Sequence, residues 1–192
     1  AEVIKIIGDI AYVQVFESTR GLKPGSKVEF EGHMLEVELG PGLLSKNFDG
    51  LQNDLDKMDG VFLKRGQYTP ALEDDKKWSF TPLAKVGDKV IAGDWLGNVK
   101  ENWLDHKIMV PFKFEGEYTV ESVAKEGEYT INDVVATLKD KEGELHNVTM
   151  VQKWPVKLAV KAYKNKPRPF RLLETGIRVI DTMNPILEGG TG

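Results

Sequence analysis

The sequence predicts a mainly β protein in two parts, with short helices only at about 43–56 and 175–184. Three observations predict it. The first forty residues alternate short β-branched and aromatic runs with turns marked by Gly and Pro. A nine-residue segment, Leu83 to Ile91, recurs forty positions later as Val123 to Ile131. Apolar residues at helical spacing are confined, in this reading, to two short stretches.

The elements follow in order. Residues 3–16 form two strand-like runs around Gly8-Asp9, a hairpin signal. Gly21-Leu22-Lys23-Pro24-Gly25 is a turn, followed by a strand from Lys27 to Phe30. Glu31-Gly32 turns the chain again into Met34–Leu39, so residues 1–40 read as a meander of the kind that builds a small barrel or open sheet. Gly40-Pro41-Gly42 breaks the pattern. Beyond it Leu44, Phe48, Leu51 and Leu55 fall on one helical face, an apolar stripe suited to core packing. Asp74-Asp75-Lys76-Lys77 is a loop.

In the repeat, Ala, Lys, Gly and Ile are identical between the two copies and an acid follows each Gly. A turn built twice on Gly87 and Gly127, each expected at positive φ, predicts two equivalent halves around a pseudo-twofold axis. Near the C-terminal end Thr175 is the expected N-cap of a short helix carrying Ile177, Ile180 and Met183, which Pro185 ends.

Composition narrows the function classes. The 192 residues are 41% hydrophobic and 29% charged with a net charge of −4, too apolar for a disordered chain. Without cysteine there is no disulfide framework, thiolate metal site or cysteine nucleophile. His33, His106 and His146 lack metal-ligand spacing. No apolar run is long enough to span a bilayer and no signal peptide opens the chain, which makes a soluble intracellular protein the default. A sequence that begins without Met and stops at Gly189-Gly190-Thr191-Gly192 is expected to be a piece of something longer.

Eight basic residues (Lys153, Lys157, Lys161, Lys164, Lys166, Arg168, Arg171 and Arg178) face a single acid, Glu174. They are either a solvated strand and linker or a patch for an acidic partner. No nucleic-acid-binding signature accompanies them, and Trp78, Trp95, Trp103 and Trp154 read as core or interface aromatics.

The two-halves pattern resembles the lipoyl and biotinyl domains, flattened barrel-sandwich hybrids that carry a cofactor on a hairpin lysine. Lys100 and Lys107 are the candidates. Lys100 lies in Val99-Lys100-Glu101-Asn102, without the Asp-Lys-Ala turn of lipoyl domains. Lys107 lies in His106-Lys107-Ile108-Met109-Val110-Pro111, without the Met-Lys-Met of biotinyl domains, and His106 and Met109 read as strand residues. The fold survives the comparison; the swinging-arm chemistry does not.

A second resemblance runs from end to end. The segment from Thr175-Gly176 through Asp181 and Pro185 to Gly189-Gly190 is similar to the approach to the P-loop in rotary ATPase subunits, and Gly21–Gly25 to the end of their N-terminal barrel. Glu38-Leu39-Gly40-Pro41-Gly42-Leu43-Leu44 with Phe48-Asp49-Gly50-Leu51-Gln52 resembles the catalytic A subunits of V-type and archaeal-type ATPases rather than F-type subunits. Lys107–Pro111, Glu128–Asp133 and Met150–Pro155 resemble the "bulge" insertion of those A subunits and its return strand. Two departures stand out: Glu188 occupies a position that is usually basic, and Lys157–Lys166 is a strand-like alternating run where the family is usually Pro-rich.

The resemblance implies a truncated barrel over 1–40, a connector with a short helix over 41–57, a hybrid-barrel bulge over 58–150, and a return strand and lead-in over 151–192. It implies ATP hydrolysis or synthesis coupled to H+ or Na+ transport, an A3B3 hexamer with B subunits, a central rotor stalk, and a peripheral stalk touched by the bulge. A cytoplasmic location, peripheral on a membrane-bound complex, follows from it. ATP, ADP and Mg2+ would belong to the parent protein. No Gly-x-x-x-x-Gly-Lys-Ser/Thr occurs here, so the P-loop is expected after Gly192 and no catalytic, cofactor-binding or metal residue is assigned within the chain. The alternatives are a stand-alone hybrid-barrel interaction domain and the carrier domain. A truncated barrel further implies that residues 1–30 are the least stable part.

Overall fold

The computed structural model describes residues 1–58, 60, 62, 66–163, 165–166 and 168–190, which fall into two compact units, Ala1–Lys161 and the residues from Ala162 on. The fold is mainly β. The first unit opens with the expected hairpin, β1 (Glu2–Ile7) and β2 (Ile10–Gln14), turning at Gly8-Asp9. All of its residues except Glu2 are exposed. The strand expected over Lys27–Phe30 does not form: these residues have no ladder partner, and an unpaired extended segment has nowhere to place its backbone bonds.

The strand β3 (Glu36–Leu39) pairs antiparallel with β12 (Gln152–Pro155), Leu39 lying opposite Gln152. Everything between leaves and returns at one point, the geometry that an inserted domain requires. The connector helix expected over 43–56 is absent. Ser45 and Gln52 each have φ +63, and an isolated bridge joins Phe48 to Asp54. The Asp49 carboxylate takes the Leu51 and Asn53 N–H groups at 2.9 and 2.8 Å, bonds that compete with a helix ladder. Only a 3-10 turn, Leu55–Lys57, remains.

Beyond the 73–77 loop come β4 (Trp78–Pro82), β5 (Lys89–Val90), β6 (Trp95–Glu101), β7 (Leu104–Met109), β8 (Tyr118–Val123), β9 (Gly127–Tyr129), β10 (Ala136–Lys139) and β11 (Leu145–Val148). They make two four-stranded sheets ordered β7-β6-β4-β9 and β11-β10-β8-β5. Replacing β4, β5, β6 and β7 by β8, β9, β10 and β11 turns one order into the other. The two halves expected from the repeat are therefore present, each lending its second strand to the other's sheet. Side chains follow the same symmetry. Phe80, Val99 and Ile108 sit in one core cluster, and their counterparts Val120, Leu138 and Val148 sit in the other.

The repeat is not a simple shift. Ser79 and Thr119 are equivalent, but Ser79 pairs with Glu128 whereas Thr119 pairs with Lys89. The offset is forty residues before the first turn, thirty-nine from there through the third strand, and forty again on the fourth. The first turn has one residue more, with Gly87 at φ +91 and its N–H on Val120 O at 2.8 Å. Gly127, its sequence counterpart, lies inside β9 opposite Phe80 and has no positive φ. Shortening the turn by one residue removes the left-handed position, which corrects the expectation for Gly127.

In the second unit the helix α1 (Arg178–Met183) is shorter than 175–184 and its N-cap is Ile177, not Thr175. Thr175 instead donates its hydroxyl to Asp181 Oδ1 at 2.6 Å and accepts the Ile177 N–H at 3.2 Å. The helix stops before Pro185, as its missing N–H dictates. The alternating run over Lys157–Lys166 forms no strand among its described residues, having no partner to pair with.

Candidate functional site

A buried polar site lies where the connector meets the β6–β7 hairpin. Gly40 passes so close to Met150 O and Leu72 Cδ1 that a Cβ would sit 3.2 and 3.3 Å from them. Pro41 is fully buried, and Gly42 turns with φ +111. The loop thereby points two N–H groups at one side chain. Glu101, at the end of β6 and only 2% exposed, accepts Gly42 N–H at 2.6 Å and Leu44 N–H at 3.1 Å on Oε1. Its Oε2 accepts from His106 Nδ1 at 2.7 Å. Every oxygen of this buried acid is thus satisfied, the condition for keeping it out of water. Asn102, at φ +53 in the hairpin turn, adds a bond from Nδ2 to Ser45 Oγ at 3.2 Å.

A second polar knot fixes the rest of the connector. Gln52 donates from Nε2 to Glu38 O and accepts Glu38 N–H on Oε1, both at 2.7 Å, so a side-chain amide caps the edge of β3. Asp54, 1% exposed, lies 3.3 Å from Lys46 Nζ and 3.6 Å from Lys57 Nζ, and Glu73 bridges the same two lysines. The Lys46 ammonium beside it holds the Glu73 carboxyl below its ordinary range. For Asp49, burial pushes upward, but bonds from the Asn53 side chain and from the Asn53 and Leu51 N–H groups leave it lowered. The Gly-Pro-Gly and Phe-Asp-Gly-Leu-Gln segments are thus explained by contacts, not by a helix.

The residues singled out in the sequence scatter. Lys100 lies on β6 and pairs with Asp105 at 3.2 Å; Lys107 lies on β7 with its Nζ 5.3 Å from the Trp95 ring centre. The tip of their hairpin is Asn102-Trp103, so neither lysine occupies a carrier position. Trp78 is core, Trp154 packs edge-on to Phe112, and Trp103 stands 76% exposed beside Leu104. The basic stretch is partly satisfied from within: Lys153 meets Glu38 at 3.3 Å, Lys157 meets Glu2 at 2.9 Å and Arg171 meets Glu188 at 3.4 Å. Lys164, Thr191 and Gly192 lie outside the described residues.

Among the described residues, Asp140, Glu144 and His146 are close enough to share a cation, within 4.8 Å. Their bonds are already committed to a turn. Asp140 Oδ1 takes the Glu142 and Glu144 N–H groups at 2.9 and 2.8 Å, and Oδ2 takes His146 Nε2 at 2.9 Å. The bond from His146 and then those from the backbone hold the Asp140 carboxyl below its usual range. No described helix is long and apolar enough to cross a membrane.

Sequence reasoning missed Glu101 and His106. The signal was available in the repeat, since each half carries an acid at a strand end shortly before a histidine, Glu101 before His106 and Asp140 before His146.

Residues 69–157 match the model of the ATP synthase alpha/beta subunit barrel-sandwich domain, and residues 1–32 that of the ATP synthase alpha/beta family β-barrel domain. The whole chain is 48% identical to the V-type ATP synthase alpha chain of Protochlamydia amoebophila, 46% to that of Treponema denticola and 47% to that of Borrelia recurrentis. It spans 32–34% of the length of these curated relatives.

Proposed function

We propose a function from one premise: the chain belongs to the ATP synthase alpha/beta subunit family. It serves as the barrel, connector and barrel-sandwich portion of the catalytic subunit of a rotary V-type ATPase or ATP synthase. In that machine ATP hydrolysis or synthesis is coupled to H+ or Na+ transport. The observation that carries the reading is similarity over all of the chain to V-type alpha chains at 46–48% identity. The nucleotide and its Mg2+ are bound elsewhere in the subunit, since this sequence offers no Gly-x-x-x-x-Gly-Lys-Ser/Thr to hold them.

The 58–150 stretch acts as a rigid bulge that reaches the peripheral stalk, while the subunit alternates with B subunits around the central rotor stalk. The location is cytoplasmic, peripheral on the membrane-bound complex. Support for rigidity comes from the β3–β12 neck, the buried Glu101 site and the Asp54 ion cluster, which tie the bulge to its base. A carrier role for Lys100 or Lys107 is disfavoured by their places on strands, and mass spectrometry finding no lipoyl or biotinyl group would end it. Sequencing the parent gene downstream of Gly192 tests the main reading. A Gly-x-x-x-x-Gly-Lys-Thr within about ten residues supports it, whereas a stop codon would favour a stand-alone interaction module.

A further inference from the structure

The Glu101–His106 contact has a counterpart. From the first turn through the third strand the halves are related by thirty-nine residues, which makes Asp140 the equivalent of Glu101. On the fourth strand the offset is forty again, so that His146 faces Leu138 as His106 faces Val99. Both halves therefore carry an acid at the end of the third strand bonded to a histidine on the fourth, at 2.7 Å in one and 2.9 Å in the other. The remaining carboxylate oxygen differs in use. Asp140 Oδ1 binds N–H groups of its own hairpin turn, Glu142 and Glu144. Glu101 Oε1 binds N–H groups of a segment nearly sixty residues away, Gly42 and Leu44.

The physical reason lies in the two turns. The β10–β11 connection is long enough to fold back on its acid, with Gly143 at φ +91. The β6–β7 turn is only Asn102-Trp103, too short to wrap back over the acid at its base. Its acid has one methylene more, and it faces outward past the hairpin into the Gly40–Leu44 loop, whose N–H groups converge through Gly42 at φ +111. Two convergent N–H groups in such a loop make a receptor for an anion, and here the anion is a side chain of the chain itself.

We propose that Glu101 is a duplicated hairpin-capping acid converted into a latch: the Gly40–Leu44 loop is a carboxylate receptor, and its occupation docks the connector on the barrel-sandwich. Docking is separable from folding of the sandwich, because Asp140 closes the equivalent hairpin without any connector. Leu43 of the loop packs only at the margin of the cluster that holds Phe80, Val99 and Ile108, and no residue of the loop joins the cluster that holds Leu138 and Val148.

Amide hydrogen exchange on the full 192-residue chain tests this, with Glu101→Ala, Glu101→Gln and Asp140→Ala. In Glu101→Ala, protection at Gly42 and Leu44 should fall by on the order of tenfold or more, while Val99, Ile108 and Leu138 keep theirs. Added formate, a carboxylate small enough for the vacated space, should restore protection at Gly42 and Leu44 in that variant. Glu101→Gln, which keeps an acceptor without the charge, should give a smaller loss at the same two amides. Asp140→Ala should affect Glu142 and Glu144 and leave Gly42 and Leu44 unchanged. Unchanged exchange at Gly42 and Leu44 in Glu101→Ala, equal loss across the sandwich core, global unfolding, or absence of formate rescue would each overturn the latch.

Discussion

Gly97 is glycine because Phe80 occupies the space that a side chain would need. A Cβ built on Gly97 overlaps Cε2 and Cζ of the Phe80 ring and lies 2.9 Å from Thr81 O. Gly97 pairs with Pro82 just beside a register shift between Trp95 and Gly97, and Phe80 is fully buried. The irregular ladder and the ring are one arrangement, with the strand bending around an aromatic that fills the core of the first half.

Gly97→Ala should therefore destabilise the barrel-sandwich by overpacking, by about 1–3 kcal/mol in urea unfolding. The double variant with Phe80→Leu should recover part of that loss, because the smaller side chain vacates the clashing volume. Additive losses in the double-mutant cycle would show that the strain lies in the backbone instead.

The turn glycines should differ from one another. At φ +91 Gly87 pays a backbone penalty for any side chain, so Gly87→Ala should cost about 1 kcal/mol or more. Gly127 has no positive φ, and its added Cβ would meet Tyr129 Cε2 at 3.3 Å, a contact that a ring shift of a few tenths of an ångström relieves. Gly127→Ala should cost less than Gly87→Ala when thermal midpoints are compared.

That contrast shows how far the sequence was legible. Identical Ala, Lys, Gly and Ile in Leu83–Ile91 and Val123–Ile131 reported the duplication, and the sheets confirm it. The one-residue difference in turn length was hidden, because aligning the glycines conceals that Gly127 is structurally equivalent to Asp88. The apolar stripe of Leu44, Phe48, Leu51 and Leu55 misled for another reason. The Asp49 side chain captures the Leu51 and Asn53 N–H groups that a helix would need, while Gln52 and Asn53 are drawn to the backbone of Glu38 and Thr69 outside the segment, and these bonds outweigh the apolar periodicity. The repeat signalled the Glu101–His106 pair, but its bonds to the loop were illegible because Gly42 and Leu44 lie nearly sixty residues away in sequence.

The ion cluster around Asp54 makes a separate prediction. Asp54 is buried against Lys46 and Lys57, so Asp54→Ala leaves two lysines facing Glu73 alone and empties a closed site. Because both lysines retain some solvent, the loss should be about 2–3 kcal/mol, below the 3–5 kcal/mol typical of fully buried pairs. Chemical denaturation at low and high salt checks it; the difference between variant and parent should shrink only slightly with salt, since Asp54 itself is shielded from solvent.

Acid should loosen the turn before α1. Asp181 is held below its ordinary carboxylate range by the Thr175 hydroxyl, then by the Thr175 and Gly176 N–H groups. A depressed folded-state value means that the contribution is present above the ordinary carboxylate range and is lost as pH falls through the lowered folded value. In an NMR titration the Thr175 and Gly176 amides should shift together with the Asp181 carboxyl, at lower pH than an unpaired aspartate. Asp181→Asn should abolish that acid transition.

The β1–β2 hairpin should exchange fastest of all the sheet elements. Two-stranded sheets are marginal in water unless a face is covered. Here Ile4, Ile6, Ile7, Ile10 and Tyr12 are all exposed, from 47% to 69%, and no residue before Gly40 belongs to the buried core. Its ties to the rest are peripheral, such as Lys157 to the side chain of Glu2 at 2.9 Å. Hydrogen exchange should find Val3, Lys5 and Tyr12 unprotected under conditions where Val99 and Leu138 require global opening. Protection of the hairpin equal to that of Val99 would mean that its apolar faces are covered in solution, and dilution would then tell self-association from an intramolecular cover.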